Sequence, residues 1–397
     1  MQFSLASQVG QELRSLWGGY PDYIYSGEPP AVAEHVPVYV YHTIQPSRFE
    51  EDLRYLQENG YRTIGMEDLG KHLTGERRAP ERSVVLTFDD ARSSFWRFGF
   101  PLLQRYGMKG VLFVISGLTP EASSTRQNLH SVCSSRTTEE DVREIDPDDT
   151  TLCTWPELRE MYNSGYVEIE SHSLFHGEVF VGTEIVDFLG PSSSFIPFDT
   201  SATAYLSPED IGKSIVPDEY YGLPLFQMAP LHKGKRAWEP SDELMRFARS
   251  QWEKLSPEEI GKDEWEHALR TRWDHYDHVS ELRRQKLSEL EEEITEDIAR
   301  SRALLEERVD IDAGDHFCLP YTVGSEISVR IMDTLGIESC SWGGLPEDRH
   351  NTPGTSPMMI ARTKSDFLWR LPGEGQKSLA RIYGEKIKRR LRGDRVF

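Results

Sequence analysis

From Val36 onward, short apolar runs alternate with stretches whose apolar residues recur at helical spacing, which is how repeated strand and helix units read in a sequence. Val36-Pro-Val-Tyr-Val-Tyr41 predicts a buried strand ending at His42, then a helix over Arg48–Asn59 with Ser47 as N-cap and Gly60 as stop. A short strand at Tyr61–Ile64 and a helix from Glu67 to Leu73 follow. Ser83–Asp90 is the most strand-like segment, succeeded by an amphipathic helix from Ser94 to Tyr106 that Gly107 ends. The next strand is Lys109–Ile115, and residues 118–150, rich in Ser, Thr, Glu and Asp, read as a long surface loop. Thr154 caps a helix over Trp155–Asn163, and the strand Val167–Ser171 delivers His172 to its end.

Between 177 and 280 this rhythm stops, and Pro- and Gly-bearing sequence gives way to helical, charge-rich sequence. The stretch predicts an insertion, mostly helical, in which Tyr220–Phe226 and His232 either form a lid or cover exposed sheet. Glu281–Val309 predicts one long amphipathic helix that packs through Leu287, Leu290, Ile294, Ile298 and Leu305. Strands at His316–Leu319, Ser339–Trp342 and Met359–Arg362 and a helix at Glu326–Leu335 complete the pattern, and Lys386–Arg395 reads as a solvated basic helix. The chain therefore divides into an opening stretch, 1–35, an α/β barrel-like core, 36–345, interrupted by the insertion 177–280, and a C-terminal extension, 346–397.

With 38% hydrophobic and 28% charged residues among 397, the chain has the composition of a globular protein with a sizeable core. The 45 basic against 66 acidic residues leave a net charge of -21, which repels nucleic-acid phosphates and anionic membrane surfaces. No basic stretch followed by an apolar one opens the chain, and no apolar run approaches 18 residues, so neither export nor a membrane span is expected and the expected location is cytoplasmic. Cys133, Cys153, Cys318 and Cys340 form no CxxC pair and read as free thiols of a reducing compartment.

The chemistry concentrates at two strand ends. Asp89 and Asp90 stand together at the C-terminal end of an apolar strand, where two adjacent carboxylates are costly without a cation or hydrogen bonds. Such a pair alone is as readily a helix cap or a turn. His172-Ser-Leu-Phe-His176 spaces two imidazoles on one side of a helical turn, where they can grip one ion, although H-x-x-x-H pairs also occur as ordinary surface histidines. Together with a carboxylate they form a two-His-one-Asp set that leaves coordination positions open for water and substrate.

With these motifs in hand, the sequence resembles the polysaccharide deacetylase family, also called the NodB-homology or carbohydrate esterase four family. Thr87-Phe88-Asp89-Asp90 is similar to its T-F-D-D-G motif, His172–His176 to its H-[ST]-x-x-H motif, and Phe317-Cys318-Leu319-Pro320-Tyr321 to its R-x-P-[FY] motif. The resemblance implies a distorted (β/α) barrel of about seven strands. It further implies Asp89 as general base, Asp90, His172 and His176 as ligands of a divalent metal, zinc or a similar ion, and the Tyr321 backbone N–H as an oxyanion donor, with Pro320 fixing its loop.

Three departures stand out. Ala91 replaces the family's usual glycine, which matters only if that position needs a positive φ. Cys318 replaces the arginine that orients the base, so Asp89 should be less acidic and less tightly held; a cysteine there is either a small buried hydrophobe or a further ligand. The histidine that protonates the departing amine has no obvious match in the C-terminal part. His42 is the best-placed substitute, ahead of His316 and His350, and is otherwise a structural histidine at a barrel mouth. Trp155, Phe175, Tyr321 and Trp342 are either sugar-stacking aromatics or core.

The expected function is hydrolytic removal of an N- or O-acetyl group from a sugar or glycan, with that acetylated glycan as partner. The alternatives are a metal-dependent C–N hydrolase for a non-sugar amide and an inactive glycan-binding or scaffold protein on the same barrel.

Overall fold

The computed structural model of the protein describes residues 20–26, 34–134, 137–191, 205, 216–261, 264–310, 312–343 and 350–391. Most of the opening stretch and residues 392–395 of the basic helix lie outside the described residues, as does the side chain of Cys133.

The apolar runs become strands β1 (Val38–Tyr41), β2 (Arg62–Thr63), β3 (Ser83–Phe88), β4 (Gly110–Val114) and β5 (Val167–Ser171), then, after the insertion's β6 to β9, β10 (His316–Cys318), β11 (Ser339–Ser341) and β12 (Thr363–Lys364). Among the described residues they pair in parallel in the order β11-β10-β5-β4-β3-β1-β12, with β2 on the side against β3. The segment 360–364 closes the ring. On one side Ile360 N–H donates to Cys340 O (3.0 Å) and Trp342 N–H to Ile360 O (2.8 Å); on the other Thr363 and Lys364 pair with Tyr39 and Val40. The strand expected at Met359–Arg362 is thus displaced toward Thr363, because Pro357–Met359 forms a 3-10 turn first. The architecture is the expected distorted (β/α) barrel.

Side chains alternate between two apolar clusters. Val38, Val85, Val111, Phe113, Cys318 and Ile360 fill the barrel interior, while Tyr39, Leu86, Phe88 and Leu112 pack outward on the helices. Helix starts differ slightly from expectation. Pro46 occupies the first turn of the helix Pro46–Glu58, so Gln45 rather than Ser47 is its cap. Gly107, at φ 63°, ends the helix Phe100–Tyr106 as expected. The loop 118–150 carries two short helices, Leu129–Ser134 and Glu139–Glu144, and is pinned to the barrel by buried carboxylates.

Among its described residues the insertion is not mostly helical. It opens with the long strand β6 (Glu178–Phe188), paired antiparallel with β7 (Pro224–Pro230), and adds the pair β8 (Trp238–Pro240) and β9 (Leu282–Arg284) around the helices Asp242–Trp252 and Trp265–Trp273. Phe180, Phe188, Phe226, Trp265 and Leu269 form its own core. Because Leu282–Arg284 is taken up by β9, the long helix begins only at Leu287; Leu290, Ile294, Ile298 and Leu305 are buried as expected, but Leu287 is half exposed at 50%.

The turns at the C-terminal ends of the strands pass through left-handed backbone: Asp90 and Ala91 at φ 69° and 58°, Ser173 and His176 at 69° and 55°, Tyr321 and Thr322 at 55° and 60°. A left-handed residue other than glycine costs about 1–2 kcal/mol. Ala91 therefore does occupy the position where a glycine would relax the backbone. Ala91→Gly removes that strain but loses a buried methyl and loosens the unfolded chain, each worth about 0.8 kcal/mol, so its stability should stay within about 1 kcal/mol of wild type. Ala91→Val, with a branched side chain at positive φ, should cost more than 2 kcal/mol on the order-of-magnitude scale of such strain. Equal melting temperatures for the valine and glycine variants would contradict the backbone assignment.

Asp52 allows a second check. Its buried carboxylate accepts from Tyr41 Oη (3.1 Å) and Trp369 Nε1 (2.7 Å), tying β1 to the C-terminal segment. Burial pushes its pKa up from 3.8 to about 6 despite the pull of Arg48. The folded carboxyl thus holds its proton more tightly than the unfolded one, and its contribution stands in full below pH 3.8 and is lost as pH rises through about 6. Asp52→Asn should flatten the decline of stability between pH 4 and 7 by on the order of 2 kcal/mol. Parallel pH profiles for variant and wild type would refute this.

Candidate active site

His42 follows β1, Asp89 and Asp90 follow β3, His172 follows β5, and Cys318 ends β10, so the parallel sheet carries all five to one end of the barrel. Arg362, on the segment that closes the ring, supplies the centre of the arrangement. Its side chain is fully buried, and its Nη1 and Nη2 donate to Asp89 Oδ1 (2.6 Å) and Oδ2 (2.9 Å). Nε donates to Trp342 O (3.0 Å), Nη1 also approaches Thr87 Oγ1 (3.3 Å), and the guanidinium lies 5.8 Å from the Phe113 ring centroid. Burial alone would raise the Asp89 pKa; Arg362 and then His172 outweigh it and hold the carboxyl well below the usual range.

The expectation that Asp89 lacks its arginine and is loosely held is therefore corrected. The arginine comes from the closing segment between β11 and β1 rather than from β10, and Cys318 Sγ lies 3.8 Å from Asp89 Oδ1. Cys318 is wholly buried, and burial pushes its thiol pKa well above the ordinary value. The family motif points to an arginine only at position 318. A lone charge closing the apolar run Met358-Met359-Ile360-Ala361 was the available signal, since a buried guanidinium demands a counterion.

Asp90 has its own cation. Arg92 Nε and Nη2 both lie 2.9 Å from Asp90 Oδ2, and Arg92 Nη1 donates to Thr43 Oγ1 (3.0 Å). Burial would raise the Asp90 pKa, but Arg92, followed by His42 and His176, lowers it overall. Oδ1 is left facing His172 Nε2 at 3.6 Å. His172 Nδ1–H donates to Cys318 O (2.9 Å), which fixes the ring and directs the Nε2 lone pair toward Asp90. The His176 ring lies 5.0 Å from that of His172, and burial, then the neighbouring His172, lowers its pKa to about 3, which keeps it unprotonated.

Asp90, His172 and His176 each offer a ligand atom within 4.8 Å of the others. Two imidazoles and one carboxylate fit a divalent ion of zinc's type. Asp89, His172 and Cys318 form a second such group, but both Asp89 oxygens are engaged by Arg362 and the thiol holds its proton, so the first set fits better.

The turn after Asp90 is held from the loop 118–150. Asp149 accepts from Ser94 N (2.8 Å) and Ser94 Oγ (2.7 Å), Asp146 accepts from Ser93 Oγ (2.7 Å), and Cys153 N–H donates to Ala91 O (2.7 Å). His42 Nε2 stands 3.8 Å from Asp89 Oδ2 with its side chain 29% exposed; burial, against the pull of Asp90 and Asp89, lowers its pKa. Tyr321 is 37% exposed and its ring lies 4.4 Å from that of His176. The other acid candidates are not brought in. His316 begins β10 at the far end and bonds Ser339 Oγ (2.8 Å), and His350 packs on His35 beside the start of β1. Trp155 is core, 3% exposed, while Phe175 and Trp342 are half buried, the latter donating to Met358 O (2.8 Å). Phe226 and His232 are buried rather than poised as a lid.

No helix among the described residues is long and apolar enough to cross a membrane. The polysaccharide deacetylase family model matches residues 76–213, which include Asp89, Asp90, His172 and His176. YxkH of Bacillus subtilis (strain 168) is 31% identical over 88 residues, 20% of this chain and 32% of that protein. The poly-beta-1,6-N-acetyl-D-glucosamine N-deacetylase of Escherichia coli (strain K12) is 29% identical over 133 residues, 33% of this chain and 18% of the relative. The chain thus spans a third or less of the length of these relatives. In fold it is similar to the BpsB deacetylase domain from Bordetella bronchiseptica, with a TM-score of 0.50 at 16% identity over 85% of this chain and 97% of that one. The motifs and the match over residues 76–213 make this part of the chain similar to the polysaccharide deacetylase family, and the parallel barrel agrees with that likeness in fold.

Proposed function

We propose that the protein hydrolyses the N-acetyl group of an amino sugar within a glycan in a metal-dependent reaction. The observation that carries this reading is Asp89, locked by Arg362 beside the Asp90, His172 and His176 donor set. The E. coli relative, named for deacetylation of poly-beta-1,6-N-acetyl-D-glucosamine, supports an N-acetylglucosamine polymer as the substrate class. A divalent ion bound by Asp90, His172 and His176, zinc by their donor character, supplies Lewis acidity to the acetyl carbonyl and to the attacking water.

Asp89 takes a proton from that water as its oxygen bonds to the carbonyl carbon. The bidentate Arg362 contact keeps the carboxylate ionised and fixes its direction, trading basicity for position. The C–N bond then breaks as His42, 3.8 Å from Asp89, relays to the departing nitrogen the proton that Asp89 took from the water, leaving acetic acid and a free amine. The Tyr321 backbone N–H serves as a donor to the oxyanion, and its exposed ring offers a sugar a stacking face. The scaffold alternative drew on Cys318 in place of arginine and on the missing histidine motif, and the Arg362–Asp89 pair weighs against the first of these.

Asp89→Asn should retain bound zinc and lose about 10²–10⁴-fold in kcat, measured by acetate release from β-1,6-linked N-acetylglucosamine oligomers; loss of metal together with activity would reverse the roles of the two aspartates. His42→Gln should lower kcat by about 10²-fold with KM little changed, while His316 and His350 variants turn over normally. Arg362→Lys keeps the charge but not the fork, and should cost about 10²-fold in kcat. The sugar itself is tested by assaying acetylated sugars beside linear and cyclic amides. Turnover confined to the amides would move the protein to the C–N hydrolase alternative.

A further inference from the structure

The deacetylation chemistry uses neither Asp297 nor His232, yet both are buried, at 8% and 1% exposure, directly behind the His172–His176 loop. The helix Leu287–Arg308 packs on the barrel through Leu290, Ile294, Ile298 and Leu305, and in the middle of this apolar face it places Asp297 and, one turn on, Ser301. A carboxylate in such a face is costly unless its oxygens are satisfied. Here Oδ1 accepts the backbone N–H of Leu174 (3.2 Å) and Oδ2 accepts His232 Nε2–H (3.0 Å). Ser301 Oγ contacts Ser171 Oγ (2.7 Å) and Ser116 Oγ (2.9 Å) at the foot of the same loop.

Leu174 is the midpoint between the two histidines, and the loop around it is strained, with Ser173 at φ 69° and His176 at φ 55°. Left-handed residues of this kind persist only where the surroundings hold them. His232 belongs to the insertion, in the turn Leu231–Lys233 that follows β7. Beside it Leu231 N–H donates to Gly177 O (3.1 Å), and Glu178 pairs with Pro230, so the insertion leaves the barrel right after His176 and returns to the same spot. The His232 ring lies 5.1 Å from that of Phe317, and Ser328 Oγ donates to His232 O (2.9 Å).

We propose that Asp297 and His232 are positioning residues for the metal site: the insertion, through His232, orients Asp297, and Asp297 holds the Leu174 N–H so that the imidazoles of His172 and His176 converge. The insertion is then part of the metal site's support. This rests on the reading of Asp90, His172 and His176 as ligands.

The test uses the full chain, titrated with Co2+ for its visible absorption and with Zn2+ against a chelator, alongside melting of the metal-free protein. Asp297→Ala and His232→Ala should each weaken Zn2+ binding by about 10–100-fold and alter the Co2+ spectrum. Asp297→Asn, which keeps an acceptor for Leu174, and His232→Gln, which keeps a donor to Asp297, should bind close to wild type. A lower melting temperature with unchanged metal affinity and spectrum in the alanine variants would make the pair merely structural and overturn the proposal. If Asp297→Ala does not fold, His232→Ala decides in the same way. A wild type that takes up neither ion would instead overturn the metal-site reading itself, and this proposal with it.

Discussion

A guanidinium enclosed by a barrel has no water to solvate it, and the Arg362 side chain meets that demand by gripping both oxygens of Asp89. The pairing joins the closing segment of the ring to the end of β3, so the contact that orients the proposed base also bridges the seam of the barrel. Truncating either partner would leave an uncompensated buried charge, a loss on the order of 3–5 kcal/mol. Cys318 takes its meaning from the same contact. A small thiol stands where the family motif carries arginine, and Asp89 is paired instead by an arginine from the closing segment.

Charge balance continues outward from this pair. Asp90 lies next to Asp89, and Arg92 offsets the second carboxylate while leaving one oxygen turned to His172. Each carboxylate thus has a guanidinium of its own, and neither must be protonated to lie beside the other. The two guanidiniums differ in what they leave open. Arg362 engages both oxygens of Asp89, whereas Arg92 engages one of Asp90. In the proposed chemistry that difference suits Asp89 to the role of a fixed base and Asp90 to that of a ligand.

The loops that carry these groups are strained and held by polar contacts from outside the barrel. Asp146 and Asp149 hold the serines that follow Asp90, and Asp297 and Ser301 hold the loop between the histidines. Segments that look peripheral along the chain, the polar loop 118–150 and the insertion, therefore act on the site's geometry through a few buried carboxylates.

Period-two and helical spacing, with apolar runs ending in Asp89 and His172, were enough to place the strands and their alternation with helices, because each is local in the chain or repeats along it, and the resemblance to a known family implied the barrel. Spacing did not separate helix from hairpin in the insertion, where strand pairing between distant segments outweighed local propensity and also claimed Leu282–Arg284 from the long helix. The pairings of Asp89 with Arg362 and of His232 with Asp297 join residues far apart in sequence and follow no motif. Local sequence named the candidate groups of the site. Which cation faces which carboxylate was decided only when the ring closed, since a buried charge is matched by whatever the fold brings within reach, at any separation along the chain.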